Sequence, residues 1–325
     1  MSKQVAIFLA GQHGDQMTAM SCLKFKEELW GSDCHIIWYS SKENMDLFAH
    51  QDIEVREFPR GYGYPEMVVE ENRKLFIQGL PPAWEDFLPL VDENNMLNIE
   101  LAKSYPSLAG IDIGYFPAPH QVPMSFRNGL NYPLVSKKVF KIPDEYEWHP
   151  VLKFSDEERQ NVKEFIDSMG EGKKVLVETF AGSGQSVLDE SMIEMIIWQC
   201  QYHWPGCKLI FASHKYLRAK EEFPQGFFEK ENIYSAKQFT VRQCALIAGH
   251  CDLILSVSSG ITVAASCWEN KDKACPILQF TGSAVCGTAE IALSDFEMVT
   301  ADYKPFEKAR DEYQDKLLEM LNKYK

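Results

Sequence analysis

Short apolar runs recur along both halves of this 325-residue chain, and each gives way to a small polar or Gly-containing loop and then to a helical stretch. In the first half the runs are Val5–Ala10, Cys34–Tyr39, Ile53–Phe58 and Ile111–Phe116. In the second half they are Lys174–Glu178, Lys208–Ala212, Asp252–Val257 and Pro276–Phe280. Strands separated by helices build parallel βαβ units and argue against an all-β sandwich. The intervening segments agree. An apolar-periodic stretch covers about Asp15–Trp30, a polar helical stretch lies near Lys42–His50, and Gly61–Ser104 reads as mainly helical around Pro81-Pro82. Helices are also expected over Asp189–Trp204, Thr240–Gly249, Ile261–Trp268 and Phe306–Lys325.

The pattern dissolves between Asn128 and Pro150, where Pro133, Pro143 and Pro150 fall among scattered charges. The domain junction is placed there, giving residues 1–150 and 151–325. A length of 325 residues suits two domains of ordinary size. Ser155-Asp-Glu-Glu158 just beyond the junction has the form of a capping box and opens a helix to about Met169. The acidic pairs Asp92-Glu93 and Asp156-Glu157-Glu158 otherwise read as solvated helix faces.

Thirty-three Lys and Arg against 47 Asp and Glu leave a formal charge of −14. Such a surface repels phosphate backbones and anionic headgroups, which argues against general nucleic-acid or membrane-surface binding while leaving room for a local basic groove. The nine cysteines are odd in number and lack C-x-x-C spacing, so neither a disulfide framework nor structural zinc is expected. No apolar run approaches the length of a membrane span, and the apolar N-terminal stretch is too short for a signal peptide. A cytoplasmic protein is expected.

In doubly wound sheets, ligands sit beyond the carboxyl ends of the strands. Three loops at such positions carry polar residues among glycines. The first is Gly11-Gln12-His13-Gly14-Asp15. Its glycines let backbone approach a ligand, and Asp15 at the helix entrance suits either a general base toward a hydroxyl or a plain helix cap. The spacing is not that of a dinucleotide fingerprint. The second is Ala181-Gly182-Ser183-Gly184-Gln185-Ser186, whose amides and hydroxyls suit a phosphate or diphosphate; it lacks the Lys-Ser/Thr of an ATP-hydrolysing loop. The third is Ser258-Ser259-Gly260-Ile261-Thr262, opening a helix of small residues. Two helix N-termini, here and after Ser183, can hold a diphosphate without a metal. Val257 stands where a nucleophile elbow needs Gly, and no histidine has H-E-x-x-H spacing. Ser213-His214 follows a strand, in position to touch a base or sugar.

The combination resembles the heptosyltransferase-like glycosyltransferases, the family-9 group of the GT-B class. The resemblance rests on Gly14-Asp15 after strand one, on the stretch Gln243–Ser266 with its turn Ser-Val-Ser-Ser-Gly-Ile-Thr-Val, and on Leu278-Gln-Phe-Thr-Gly-Ser283. It implies an α/β fold of two Rossmann-like domains facing a cleft, the first binding the acceptor and the second a nucleotide-diphosphate sugar. In that class the last helix crosses back to brace the N-terminal domain. The implied reaction is inverting, metal-independent transfer of a sugar to a hydroxyl of a glycan or glycolipid, with no cofactor and with peripheral access to lipid-linked acceptors in polysaccharide assembly.

Carried over residue by residue, Asp15 is the base, with Gly11, Gln12, His13 and Gly14 beside the acceptor. Gly182, Ser183, Gly184, Gln185, Ser213, His214, Ser258, Ser259, Gly260, Ile261 and Thr262 line the donor. The chain departs from the family at Ser258, where Asp is usual, and at Val263, where His is usual. Gln185-Ser186 also replaces a usual basic residue. Two other readings share this architecture: a sugar-nucleotide epimerase or hydrolase, and a degenerate protein that binds sugars or nucleotides without catalysis.

Overall fold

The computed structural model describes residues 2–9, 12–57, 96, 98–102, 108, 110–117, 132–181, 188–212, 223–273, 275–281, 296–300 and 306–325. The chain divides into two compact units, Met1–Lys153 and Phe154–Lys325.

The first unit runs β1 (Gln4–Phe8), α1 (His13–Met20), α2 (Lys26–Trp30), β2 (His35–Ser40), β3 (Glu54–Glu57), α3 (Ile99–Ala102), β4 (Ile113–Tyr115) and α4 (Tyr132–Phe140). Its sheet is parallel in the order β3-β2-β1-β4. Strand β1 is central, and Val5, Ala6, Ile7 and Phe8 are wholly buried. A strand covered on both faces needs apolar residues without alternation, which is what this run supplies. At its carboxyl end Phe8 stacks on Tyr39 at 4.6 Å and on Phe116 at 5.0 Å.

The expected single helix over Asp15–Trp30 is interrupted: α1 and α2 flank a 3₁₀ turn at Ser21–Phe25. The backbone leaves the helical path at Phe25 (φ −108°), whose ring stacks on Trp148 at 6.2 Å. Lys42–Phe48 is 3₁₀ rather than α-helix. The structureless junction expected between Asn128 and Pro150 contains α4, with Pro133 in its first turn, where its missing N–H is no loss. Most of Gly61–Ser104 lies outside the described residues.

The second unit runs α5 (Asp156–Ser168), β5 (Lys174–Glu178), α6 (Glu190–His203), β6 (Lys208–Phe211), β7 (Ile233–Ser235), α7 (Val241–Ala248), β8 (Leu253–Val257), α8 (Gly260–Ala265), β9 (Ile277–Thr281), β10 (Phe296–Thr300) and α9 (Phe306–Lys323). All strands are parallel, in the order β10-β9-β8-β5-β6-β7. Its first four strands thus repeat the order of the first sheet. One face packs Val175, Val177, Leu255, Val257, Leu278 and Phe280 against α6 and α9. The other packs Leu176, Ile210, Ile254 and Ile277 against α5, α7 and α8. Helix α9 lies in the first of these cores through Tyr313, Leu317 and Leu321, and Trp204 Nε1–H donates to the Leu321 carbonyl at 3.0 Å. Strands β7 and β10, each at an edge of this sheet, were not signalled by the sequence pattern.

Capping residues set the helix entrances as their chemistry dictates. Ser155, Asp189 and Thr240 each accept a first-turn N–H with a side-chain oxygen. Glu158 is turned inward, its side chain largely buried, contrary to the expected exposed face. It accepts the Ser155 N–H at 2.8 Å and forms a two-pronged ion pair with the buried Arg242 of α7, one arm at 3.0 Å. Burial pushes the Glu158 carboxyl up, but Arg242, the Ser155 N–H and Gln243 outweigh it and hold it at about 2. Cys22, Cys200, Cys207, Cys244 and Cys267 are buried free thiols, used as small hydrophobes. Among the described residues no helix is long and apolar enough to cross a membrane, and no group of three or more His, Cys, Asp or Glu is arranged to hold a metal.

Candidate active site

Each sheet reverses its strand order next to its first strand, between β1 and β4 and between β5 and β8. Crevices for ligands open at the carboxyl ends of such strand pairs. The residues there divide into two chemically different groups.

At the end of β1 the chain enters α1 with Gln12 as N-cap in extended backbone (ψ 179°). Asp15 is the third residue of the helix. Its Oδ2 accepts the Gln12 N–H at 2.8 Å, so the carboxylate sits half-buried at the positive end of the helix. The cap expected of Asp15 is therefore formed, and the same bond fixes where its charge lies. His13 Nε2 meets the Glu43 carbonyl at 3.2 Å. A carbonyl only accepts, so Nε2 carries the proton and Nδ1 keeps its lone pair. Burial pushes the His13 pKa down, against the pull of the Glu43 carbonyl and the Asp46 and Glu43 carboxylates. The ring is neutral at neutral pH.

What orients this helix entrance is a residue the loop motif did not include. Gln16 is fully buried, its Nε2–H donating to the Leu9 carbonyl at 2.8 Å and its Oε1 accepting from Trp38 Nε1–H at 2.8 Å. It ties α1 to the ends of β1 and β2 in one side chain. A Gln beside apolar Met17, Ala19 and Met20 was the sequence signal.

In the second unit Ser259 caps α8, its Oγ accepting the Ile261 N–H at 3.2 Å. Ser259 and Gly260 are half-exposed, whereas Ser258, Ile261 and Thr262 are buried. The Thr262 hydroxyl donates to the Val257 carbonyl at 3.0 Å and accepts from the Ser256 hydroxyl at 2.8 Å. The hydroxyl bolts α8 to β8, and the Ile261 side chain packs inward, into the core under α8, so among these expected donor-lining residues the two side chains are turned into the fold. Val263 is also buried.

One layer deeper, parallel register aligns Glu178, Ser256 and Gln279 across β5, β8 and β9. All three are buried. Glu178 accepts the Phe180 N–H at 3.2 Å, closing the end of β5. Among the described residues, neither amide atom of Gln279 has a hydrogen-bond partner. This polar row in a sheet interior was not anticipated, because single polar residues inside apolar runs carry no periodic signal. A cavity of about 290 Å³ opens past the end of β7, lined by Phe223, Phe227 and Phe228 with Gln225, Ser235 and Lys237. Gly11, Gly182, Ser183, Gly184, Gln185, Ser213 and His214 lie outside the described residues.

No protein-family model matches the sequence, and no curated protein matches it. Solved structures do. An E. coli ADP-heptose LPS heptosyltransferase II is similar with a TM-score of 0.61 at 12% identity, over 99% of this chain and 98% of that one. A glycosyl transferase family 9 protein from Veillonella parvula DSM 2008 gives 0.59 at 12% identity, over 99% and 97%. The chain has the heptosyltransferase-like GT-B fold. The E. coli heptosyltransferase WaaC with ADP gives 0.57 at 11% identity, over 99% of this chain and 100% of that one.

Within the GT-B fold the two groups differ in what they can bind. The β1–α1 entrance presents a carboxylate and a neutral imidazole, suited to a hydroxyl and unsuited to a phosphate. Among the described residues, the β8–α8 entrance presents a serine cap and a glycine amide and no charged side chain of its own, which tolerates an anion.

Proposed function

We propose that this protein is an inverting glycosyltransferase that moves a sugar from a nucleotide-diphosphate sugar to a hydroxyl of a glycan or glycolipid acceptor. The observation that carries the reading is Asp15, held by a backbone N–H at the first switch point of a GT-B fold. In this scheme the first unit binds the acceptor. The Asp15 carboxylate takes the proton of the acceptor hydroxyl as its oxygen attacks the anomeric carbon. The bond from that carbon to the diphosphate breaks on the opposite side, and configuration inverts.

The second unit binds the donor, with Ser259 and Gly260 beside the diphosphate and Gly182–Gln185 completing its cradle. Preorganised N–H groups and hydroxyls stabilise the charge that grows on the leaving diphosphate, and the scheme needs no metal. Gln16 keeps Asp15 in register with the strand ends. The aromatic cavity beyond β7 has the size and faces for the nucleotide base.

The degenerate, binding-only reading has one observation in its favour. Val263 is buried and apolar at the helix position where the resembled family carries His, which removes one contact to the donor. A thermal-shift screen against ADP-, GDP-, UDP- and CMP-linked sugars and the free nucleotides tests the donor half of the proposal. A ligand that binds the native state alone raises the melting temperature, by about 2.7 kcal/mol of stability at a hundredfold excess over Kd. A selective rise with one nucleotide-diphosphate sugar is expected. No shift with any of them counts against the transferase, and hydrolysis or epimerisation of the donor without acceptor points to the other enzyme class.

A further inference from the structure

The buried row Glu178, Ser256 and Gln279 lies on the sheet face that also carries Leu176, Ile254 and Ile277, because side chains two apart along a strand share a face. Two members of the row each hold one of the elements proposed to bind the diphosphate. Ser256 serves α8, its hydroxyl bonded to that of Thr262 at 2.8 Å. Glu178 serves the chain that leaves β5. Its Oε1 accepts the Phe180 N–H at 3.2 Å, and the Thr179 carbonyl accepts the N–H of the returning Leu188 at 2.9 Å. Thr179, Phe180, Ala181 and Leu188 are all buried, so departure and return are both fixed within the fold.

A carboxyl is an expensive side chain for this position. Glu178 is 4% exposed, and taking a carboxylate out of water costs far more than burying a leucine of similar size. One of its neighbours is the Cys244 thiol of α7, which burial and the Glu178 charge together push up. What leucine cannot do is accept an N–H, and a charged oxygen accepts one more strongly than a neutral oxygen does.

We infer that Glu178 is a positioning residue for the donor diphosphate, setting the direction in which the chain leaves β5 toward the cradle. The inference rests on the donor site proposed for the second unit. Glu178 acts through the Phe180 backbone and touches no substrate itself. The position gives up the stability of an apolar side chain for a fixed exit from the strand.

Glu178→Gln and Glu178→Leu test this as a pair, because both remove the charge and only Gln can still accept the Phe180 N–H. Inorganic pyrophosphate is the probe, titrated by calorimetry into the full chain, with hydrogen exchange read at the Phe180 amide. Glu178→Leu is expected to melt no lower than Glu178→Gln, to exchange at Phe180 about tenfold faster, and to bind pyrophosphate about tenfold more weakly. Glu178→Gln is expected to retain the wild-type affinity. A role in folding alone would lower the melting temperature of Glu178→Leu and leave its affinity intact. Equal pyrophosphate affinity in the two variants overturns the inference. So does a wild-type Phe180 amide that exchanges as fast as in an unfolded chain, a result that needs no variant to fold. A wild type that leaves pyrophosphate unbound overturns the donor site itself, so the two failures are told apart by which protein does not bind.

Discussion

The β1–α1 and β8–α8 junctions occupy equivalent places in two sheets whose first four strands run in the same order, yet they are anchored and charged differently. The first is anchored by an amide, Gln16, which satisfies a backbone carbonyl and an indole N–H at once. The second is anchored by a hydroxyl, Thr262, which satisfies a carbonyl and another hydroxyl. Among the described residues, the first holds the Asp15 carboxylate at its mouth and the second the Ser259 hydroxyl. A fold used twice thus yields one place suited to removing a proton and one suited to holding an anion. In the proposed function, the division of labour comes from side chains at the helix entrance rather than from topology.

The sharpest way to break this comparison is to make the second junction like the first. Ser259→Asp keeps a good N-cap, so the melting temperature is expected to hold. It also places a carboxylate where the diphosphate is proposed to sit, and donor affinity measured by calorimetry is expected to fall about 100-fold. Unchanged donor affinity would show that Ser259 only caps α8.

Anchoring is tested next. Glu158→Ala strands Arg242 in the core of the second unit and is expected to cost about 3–5 kcal/mol in urea unfolding. The same pair predicts an acid limb. With the folded Glu158 carboxyl at about 2, its stabilisation is complete above its ordinary value and drains away as pH falls toward 2. Comparing the wild type with Glu158→Gln across that window checks the assignment: the variant's curve should be flatter. Gln16→Leu leaves the Leu9 carbonyl and Trp38 N–H unpaired in the first unit, for about 2–3 kcal/mol, and should slow sugar transfer while donor affinity is kept. Thr262→Val, its counterpart, should cost about 1–2 kcal/mol. Gln279→Leu is expected to be neutral or slightly stabilising, since among the described residues neither of its amide atoms has a partner to lose. A large loss there would mean that the amide is satisfied in solution.

The strand pattern was legible because central parallel strands are covered on both faces. Runs such as Lys174–Glu178 and Leu253–Val257 need no alternation and stand out from their flanks. The helix entrances at Asp156, Val241 and Gly260 were legible through Ser155, Thr240 and Ser259, whose chemistry acts within three residues. Edge strands β7 and β10 were not, because a short edge strand needs fewer apolar residues. Nor were Glu178 and Gln279, single polar residues inside apolar strand runs that carry no periodic signal. Asp15 was legible as a candidate, but its two roles share one position, and spacing alone does not separate them. Thr262 shows the converse: a hydroxyl in a suggestive loop motif is bonded within the fold, which the motif does not reveal.

The central claim is that Asp15 is the base of a sugar transfer, and Asp15→Asn tests it most directly. Asn retains the size and the ability to accept the Gln12 N–H, so the cap survives while the proton acceptor is removed. With the donor identified and its affinity for the variant confirmed, transfer to acceptor is measured for both proteins. The account predicts unchanged melting temperature, unchanged donor affinity and a rate lower by about 10²–10⁴. Transfer at a near-wild-type rate would contradict it and leave Asp15 as a helix cap and nothing more.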